Sequence, residues 1–223
     1  MTERTKRDIP YLRTRKRRMR SFCPVRTRCI ALHSMLQSAH PPAAAPARHD
    51  PARPIVLVGL MGVGKSTVGR RLANRMRLPF VDADTAIEQA AGMTVAEIFA
   101  RFGEPYFRDG ERRVIQRLMD GTPKVIATGG GAFINDETRA LILAEATAIW
   151  LRAHPDVLAE RVGRRDTRPL LRGKDPRKVL AELAAIRNPI YAEAHIHITS
   201  NAAPHETTVN AILKAIGHGR HAA

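Results

Sequence analysis

Within nine residues the chain sets three glycines, a lysine and two hydroxyls: Gly59-Leu-Met-Gly62-Val63-Gly64-Lys65-Ser66-Thr67. Glycines let the backbone turn its N–H groups inward around phosphate oxygens, and a helix beginning at Lys65 adds the positive end of its dipole. Lys65 offers a mobile cation for the β- and γ-phosphates, and the Ser66 hydroxyl can ligate Mg²⁺. Gly62, Val63, Gly64, Lys65, Ser66 and Thr67 are therefore the expected triphosphate contacts. A glycine-rich turn with an incidental lysine would not need all of these positions together. Two carboxylates follow, Asp82 and Asp84. Asp82 suits a group that holds Mg²⁺ through a retained water. Asp84 can accept hydrogen bonds from substrate hydroxyls and take the proton of an attacking one. The bland alternative makes Asp84 the N-cap of the helix Thr85-Ala-Ile-Glu-Gln-Ala, which explains Asp84 but not Asp82. Further on, Gly129-Gly130-Gly131 is either a flexible loop or a place where backbone approaches a ligand more closely than any Cβ permits.

These groups need a scaffold that brings distant segments together. Short apolar runs alternate with helical patterns from Pro54 onward, the pattern of repeated βα units and a parallel sheet covered on both faces. The fold class is α/β. Predicted strands are 55–58, 80–81, 125–127, 148–151 and 195–199; predicted helices are 65–76, 85–91, 94–102, 104–119, 136–143, 155–162, 176–186 and 206–216. The strand Ile55–Val58 feeds the glycine-rich loop, and Asp82 closes the second strand, where open α/β sheets place their ligands. His195 and His197 alternate along the last strand and are expected on its outer face.

A triphosphate site leaves the enzyme class open. A GTPase needs a base-reading NKxD element, and none is present. A mechanical ATPase normally ends a later apolar strand in an acidic pair, whereas here Lys124-Val-Ile-Ala127 runs into Thr128-Gly-Gly-Gly131. A small kinase is the leading class. Five blocks then stand in order: the phosphate loop; Phe80-Val-Asp82-Ala-Asp84 with Ile87-Glu88; Gly103-Glu-Pro-Tyr-Phe-Arg108 with Glu111, leading to Thr128-Gly-Gly-Gly131; Arg168-Pro-Leu-Leu171; and Arg187-Asn-Pro-Ile-Tyr191. With these blocks the chain resembles shikimate kinase over about residues 54–200.

The resemblance implies a three-layer α/β/α fold of the nucleoside-monophosphate-kinase type, its five parallel strands ordered 2-3-1-4-5. It implies transfer of the ATP γ-phosphoryl group to the 3-hydroxyl of shikimate, with Mg²⁺ held through Ser66 and Asp82. Lys65, Asp84 and Arg168 are then the catalytic residues, and Asp84, Arg108, Gly129, Gly130, Gly131 and Arg187 bind the substrate. Taken alone, Arg108 reads as an ordinary i,i+4 partner of Glu104. The resemblance instead pairs it with Arg187 as a clamp on the shikimate carboxylate, a task the guanidinium fork suits. Residues 163–174, Gly-Arg-Arg-Asp-Thr-Arg-Pro-Leu-Leu-Arg-Gly-Lys, fit a mobile lid that delivers Arg168 to the transferring phosphoryl group. One departure stands out: the segment after the last strand, Ser200-Asn-Ala-Ala-Pro204, lacks the arginine that flanks adenine in related enzymes. Gluconate kinase is the nearest rival, disfavoured by the Asp-x-Asp, triple-glycine and Arg-Pro-Leu-Leu blocks.

Composition limits what else the chain can be. Its 223 residues, 44% hydrophobic, supply one well-buried domain. No apolar run reaches the roughly 18 residues of a membrane span. Cys23 and Cys29 both lie in the N-terminal segment, so no thiolate metal site is available to the core, and a cytoplasmic setting is expected. The net charge of +16 is concentrated: residues 1–53 carry 13 Lys and Arg against 3 Asp and Glu. This arm, with its Pro/Ala linker, is expected to be disordered and separate from a kinase domain at 54–223. A nucleic-acid-binding role for it would show as steeply salt-dependent binding that vanishes when 1–53 are removed. The expected partners are shikimate and ATP, acting on a monomer, with no membrane.

Overall fold

The tetrad Ile-Val-Leu-Val at 55–58 is fully buried along its whole length, as a strand must be when helices cover both faces of its sheet. A computed structural model of the chain describes residues 49–163, 175–200 and 204–217. In it this tetrad is β1 (Ile55–Val58), the centre of a five-stranded parallel sheet. The other strands are β2 (Phe80–Asp82), β3 (Val125–Ala127), β4 (Thr147–Arg152) and β5 (Ile196–Thr199), and the order is β2-β3-β1-β4-β5. Ile55 stands beside Val125 on one side and Thr147 on the other, and Phe80 beside Val125, so β1, β2 and β3 end together at one edge. The order and class agree with the sequence reading.

Helices α1 (Lys65–Met76), α2 (Ala83–Ala91), α3 (Val95–Leu118), α4 (Asp136–Glu145), α5 (Pro155–Gly163), α6 (Pro176–Tyr191) and α7 (His205–Ala215) alternate with the strands. Thr94 and Glu97 form a reciprocal capping box that starts α3. The two helices expected at 94–102 and 104–119 run on as this one element, bent at Gly103, whose φ of 78° and ψ of 178° only glycine adopts readily. Helix α6 extends five residues past the predicted end, through Pro189, because its last turn is anchored from outside by Arg187 and the fully buried Tyr191. A 3-10 turn, Ala132–Ile134, not foreseen in the sequence, follows the triple glycine.

The core has two parts. The main one lines both sheet faces, and a smaller cluster of Ile87, Ile98, Phe107 and Val114 joins α2 to α3. Asp84 and Arg108 therefore stand on helices that carry their own small core. At the opposite sheet edge His49 bonds Thr147 Oγ1 at 2.8 Å and Arg53 donates to the Ala144 carbonyl, so residues 49 and 53 are held against the end of α4 and the start of β4. His195 and His197 are both exposed; the Nδ1 of His195 accepts from the Ala148 N–H.

Candidate active site

The phosphate loop leaves the carboxyl end of β1. Gly62 and Gly64 take φ of 82° and 95°, which turns the chain tightly into α1. A Cβ on Gly64 would also lie 3.1 Å from the imidazole of His205, at the start of α7. Val63 is buried beneath the loop; Ser66 is exposed and Thr67 half-buried on the first turn of α1. Lys65 is 9% exposed, and its ammonium donates to the carbonyls of Gly59 at 2.7 Å and Leu60 at 3.0 Å. The cation thus lies along the loop's own backbone.

Asp82 and Asp84 change places relative to the capping argument. Helix α2 begins at Ala83, its N-cap is Asp82, and Asp82 Oδ1 accepts from the Asp84 N–H at 3.2 Å. Capping thus accounts for Asp82, while Asp84, in the first turn, is the residue without a capping role. The reason is that β2 runs directly into α2 with no intervening loop, so the helix starts two residues earlier than its apolar pattern indicated.

The triple glycine is where the pieces meet, and each missing side chain is replaced by a different element. A Cβ on Gly129 would come within 2.8 Å of Asp84 Oδ1 and 2.9 Å of Glu111 Oε1. On Gly130 it would lie 3.4 Å from the Met61 backbone nitrogen, and on Gly131 2.5 Å from both terminal nitrogens of Arg108. Thr128 ties the start of this loop to β1 by donating its hydroxyl to the Leu57 carbonyl at 3.0 Å. Arg187 and the Tyr191 hydroxyl reach over from α6 to the Gly130 carbonyl. The sequence-predicted groups Asp84, Arg108, Gly129, Gly130, Gly131 and Arg187 are therefore brought together; Arg168 and the rest of 164–174 lie outside the described residues.

Arg108 keeps its Glu104 partner, at 3.0 Å, and adds a second, Glu111 Oε2 at 2.7 Å. Glu111 is 2% exposed, and among the described residues its Oε1 has no hydrogen-bond partner. Burial holds its carboxyl above the ordinary value against the pull of Arg108, and the neighbouring charges of Asp84 and Glu104 push the same way as burial. Sequence reasoning gave Glu111 no role, although it sits on the buried stripe Phe107, Glu111, Val114, Ile115, where a carboxylate is out of place. Two more groups were missed. Tyr191 lies one turn beyond Arg187, a spacing that puts both on one helix face. Arg161, on α5, donates to the Val63 carbonyl and the Ser200 hydroxyl, both at 3.4 Å, so a guanidinium does reach the start of the segment that lacks one in sequence.

Residues 61–217 match the family described as shikimate kinase. The chain belongs to the shikimate kinase family. A shikimate kinase of Caulobacter vibrioides is 62% identical over 165 residues, which cover 74% of this chain and 82% of that protein. One from Novosphingobium aromaticivorans is 59% identical over 169 residues, covering 74% and 87%. Among solved structures, a shikimate kinase from Acinetobacter baumannii in complex with shikimate aligns with a TM-score of 0.72 at 35% identity, over 76% of this chain and 96% of that one. A gluconokinase from Sinorhizobium meliloti, at 22% identity and a TM-score of 0.51, shares the fold alone. Family membership makes this chain a kinase that uses ATP to phosphorylate shikimate, a step toward the aromatic amino acids.

Proposed function

We propose that shikimate lies over Gly129–Gly131, its carboxylate between Arg108 and Arg187 and its 3-hydroxyl at Asp84, while the ATP triphosphate lies along the loop 59–67. The observation that carries this reading is the convergence on the triple glycine, where a carboxylate, two guanidinium groups and the phosphate loop all abut a backbone stripped of side chains. Bidentate guanidinium pairs fix a planar carboxylate in orientation as well as place. Asp84 then orients the attacking hydroxyl and accepts its proton. Lys65 neutralises charge on the β- and γ-phosphates, and Arg168 is the cation proposed for the transferring group. Arg161 offers a flat guanidinium to the adenine, at the place the segment after β5 leaves without one.

Among the described residues no group of three or more His, Cys, Asp or Glu could hold a metal by itself. The donors that do fit Mg²⁺ are the exposed Ser66 hydroxyl and the Asp82 carboxylate, an all-oxygen pair to be completed by phosphate oxygens and water. Ser66 and Asp82 would hold the ion, whose charge would offset the negative charge that develops during transfer. The enzyme is proposed to act as a monomer. No helix among the described residues is long and apolar enough to cross a membrane, in keeping with a cytoplasmic placement. The kinase domain is proposed to span residues 54–223, with His49 and Arg53 bonded to its α4–β4 junction.

A coupled ADP-release assay with Mg-ATP tests the reading, comparing shikimate with gluconate, a nucleoside monophosphate and no acceptor. Shikimate alone should stimulate turnover. In the variant Arg108→Ala the shikimate KM should rise far more than the ATP KM; an equal rise in both would count against the carboxylate clamp.

A further inference from the structure

The carbonyl of Gly130 has two donors. Arg187 Nη1 reaches it at 3.2 Å, and the Tyr191 hydroxyl, one turn further along α6, reaches it as well. Gly130 also abuts the phosphate loop: a Cβ there would lie 3.4 Å from the Met61 nitrogen and 3.7 Å from the Gly59 carbonyl oxygen. The residue that α6 holds is thus the one that sets the triple glycine against the triphosphate cradle.

The two donors differ in their freedom to leave. Arg187 is half-buried, and its charged fork makes stronger bonds to a carboxylate than to a neutral carbonyl. Tyr191 has no exposed surface, and its ring packs between Phe133 at 6.3 Å and Trp150 at 6.0 Å, which confines the phenol to one direction. Burial pushes the phenol up to about 12, against the opposing pull of Arg187, so the hydroxyl remains a donor at any working pH.

We propose that Tyr191 is the positioning residue of the substrate-bound state: when Arg187 turns from Gly130 to the substrate carboxylate, Tyr191 keeps its hold on the Gly130 carbonyl and so the triple glycine in register with the phosphate loop. This rests on the reading of Arg187 as one arm of the carboxylate clamp. The hydroxyl of Tyr191 touches neither substrate; it acts through Gly130.

The test is Tyr191→Phe in the full chain, which removes one oxygen and leaves the ring. ADP release is measured with shikimate and with shikimate methyl ester, whose neutral head does not compete for Arg187 as a carboxylate does. The expected result is a shikimate KM raised about tenfold, an ATP KM within about twofold of the parent, and a much smaller effect with the ester. A variant-to-parent ratio that is the same for both acceptors overturns the proposal, as does an unchanged shikimate KM. Arg187→Ala separates the two readings. If it leaves the shikimate KM unchanged, the clamp itself fails and the proposal with it; if it raises that KM while Tyr191→Phe is silent, only the proposal fails. Should Tyr191→Phe not fold, the ¹³C carbonyl resonance of Gly130 in the parent protein decides. It should move on adding shikimate and stay nearly still with the ester; no movement with shikimate overturns the proposal.

Discussion

Gly131→Ala separates folding from function more cleanly than any other single change in this site. Gly131 has φ of −106° and ψ of −15°, an ordinary right-handed conformation, so alanine strains no backbone. The added Cβ would instead sit 2.5 Å from both terminal nitrogens of Arg108 and 2.7 Å from its Cζ. Ordinary contact begins at 3.4 Å, so the guanidinium must retreat by the difference between 2.5 and 3.4 Å, about 0.9 Å. Arg108 is the far end of a flexible side chain, and the retreat should cost the fold less than about 1 kcal/mol. The same movement displaces one arm of the proposed carboxylate clamp, and a misplacement of roughly 1 Å can lower a rate about a hundredfold. The expected loss in kcat/KM for shikimate is about 10- to 100-fold, or roughly 1.4 to 2.7 kcal/mol of transition-state stabilisation. Steady-state ADP release at saturating ATP, with shikimate varied, measures the loss, and thermal unfolding checks the fold. The reasoning is refuted if the variant keeps the parental kcat/KM for shikimate. It is equally refuted if the ATP KM rises as much as the shikimate KM, since the proposed site assigns Arg108 to the acceptor alone.

Three other outcomes are expected. Glu111→Gln should change how stability depends on pH: because the folded carboxyl is raised, the parent is relatively more stable below pH 4.5 and loses that share as pH rises through the folded value. Urea denaturation across this window should show the loss in the parent and a flatter profile in the variant, and a parallel pair of profiles would contradict it. Asp82→Asn keeps an oxygen for the Asp84 N–H and should unfold within about 0.5 kcal/mol of the parent, while requiring more Mg²⁺ for half-maximal rate; Asp82→Ala should lose about 1 kcal/mol besides. Arg161→Ala should raise the ATP KM roughly 3- to 30-fold with little change for shikimate, the scale of a guanidinium stacked on a ring, and a shift confined to shikimate would argue against an adenine contact.

Much of this was legible in the residues because backbone chemistry imposed it. The five blocks carry glycines, prolines and charged groups at places where few other residues meet the geometry, and the apolar tetrad at β1 announces a strand covered on both faces. What escaped was set by tertiary contact. Pro189 reads as a helix terminator, yet α6 runs through it because Arg187 and Tyr191 are held from outside the helix. Asp82 and Asp84 exchange the capping role because β2 abuts α2 without a loop, and local pattern carries no record of that. Arg161 was invisible for a simpler reason: it lies 39 residues from Ser200, its hydrogen-bond partner, and only the tertiary fold brings them together.

The folded-back position of Lys65 has a consequence for how nucleotide affinity should be understood. Its ammonium already holds the carbonyls of Gly59 and Leu60 at 2.7 and 3.0 Å. A triphosphate bound at the loop as proposed would meet an occupied cation, and its gain would be the difference between two sets of oxygen ligands. The buried ammonium is thereby paired within the protein, as a buried charge must be. Ligand exchange of this kind would favour discrimination over raw tightness: an anion too weak to displace two backbone carbonyls would be refused, whereas a polyphosphate that can would be admitted.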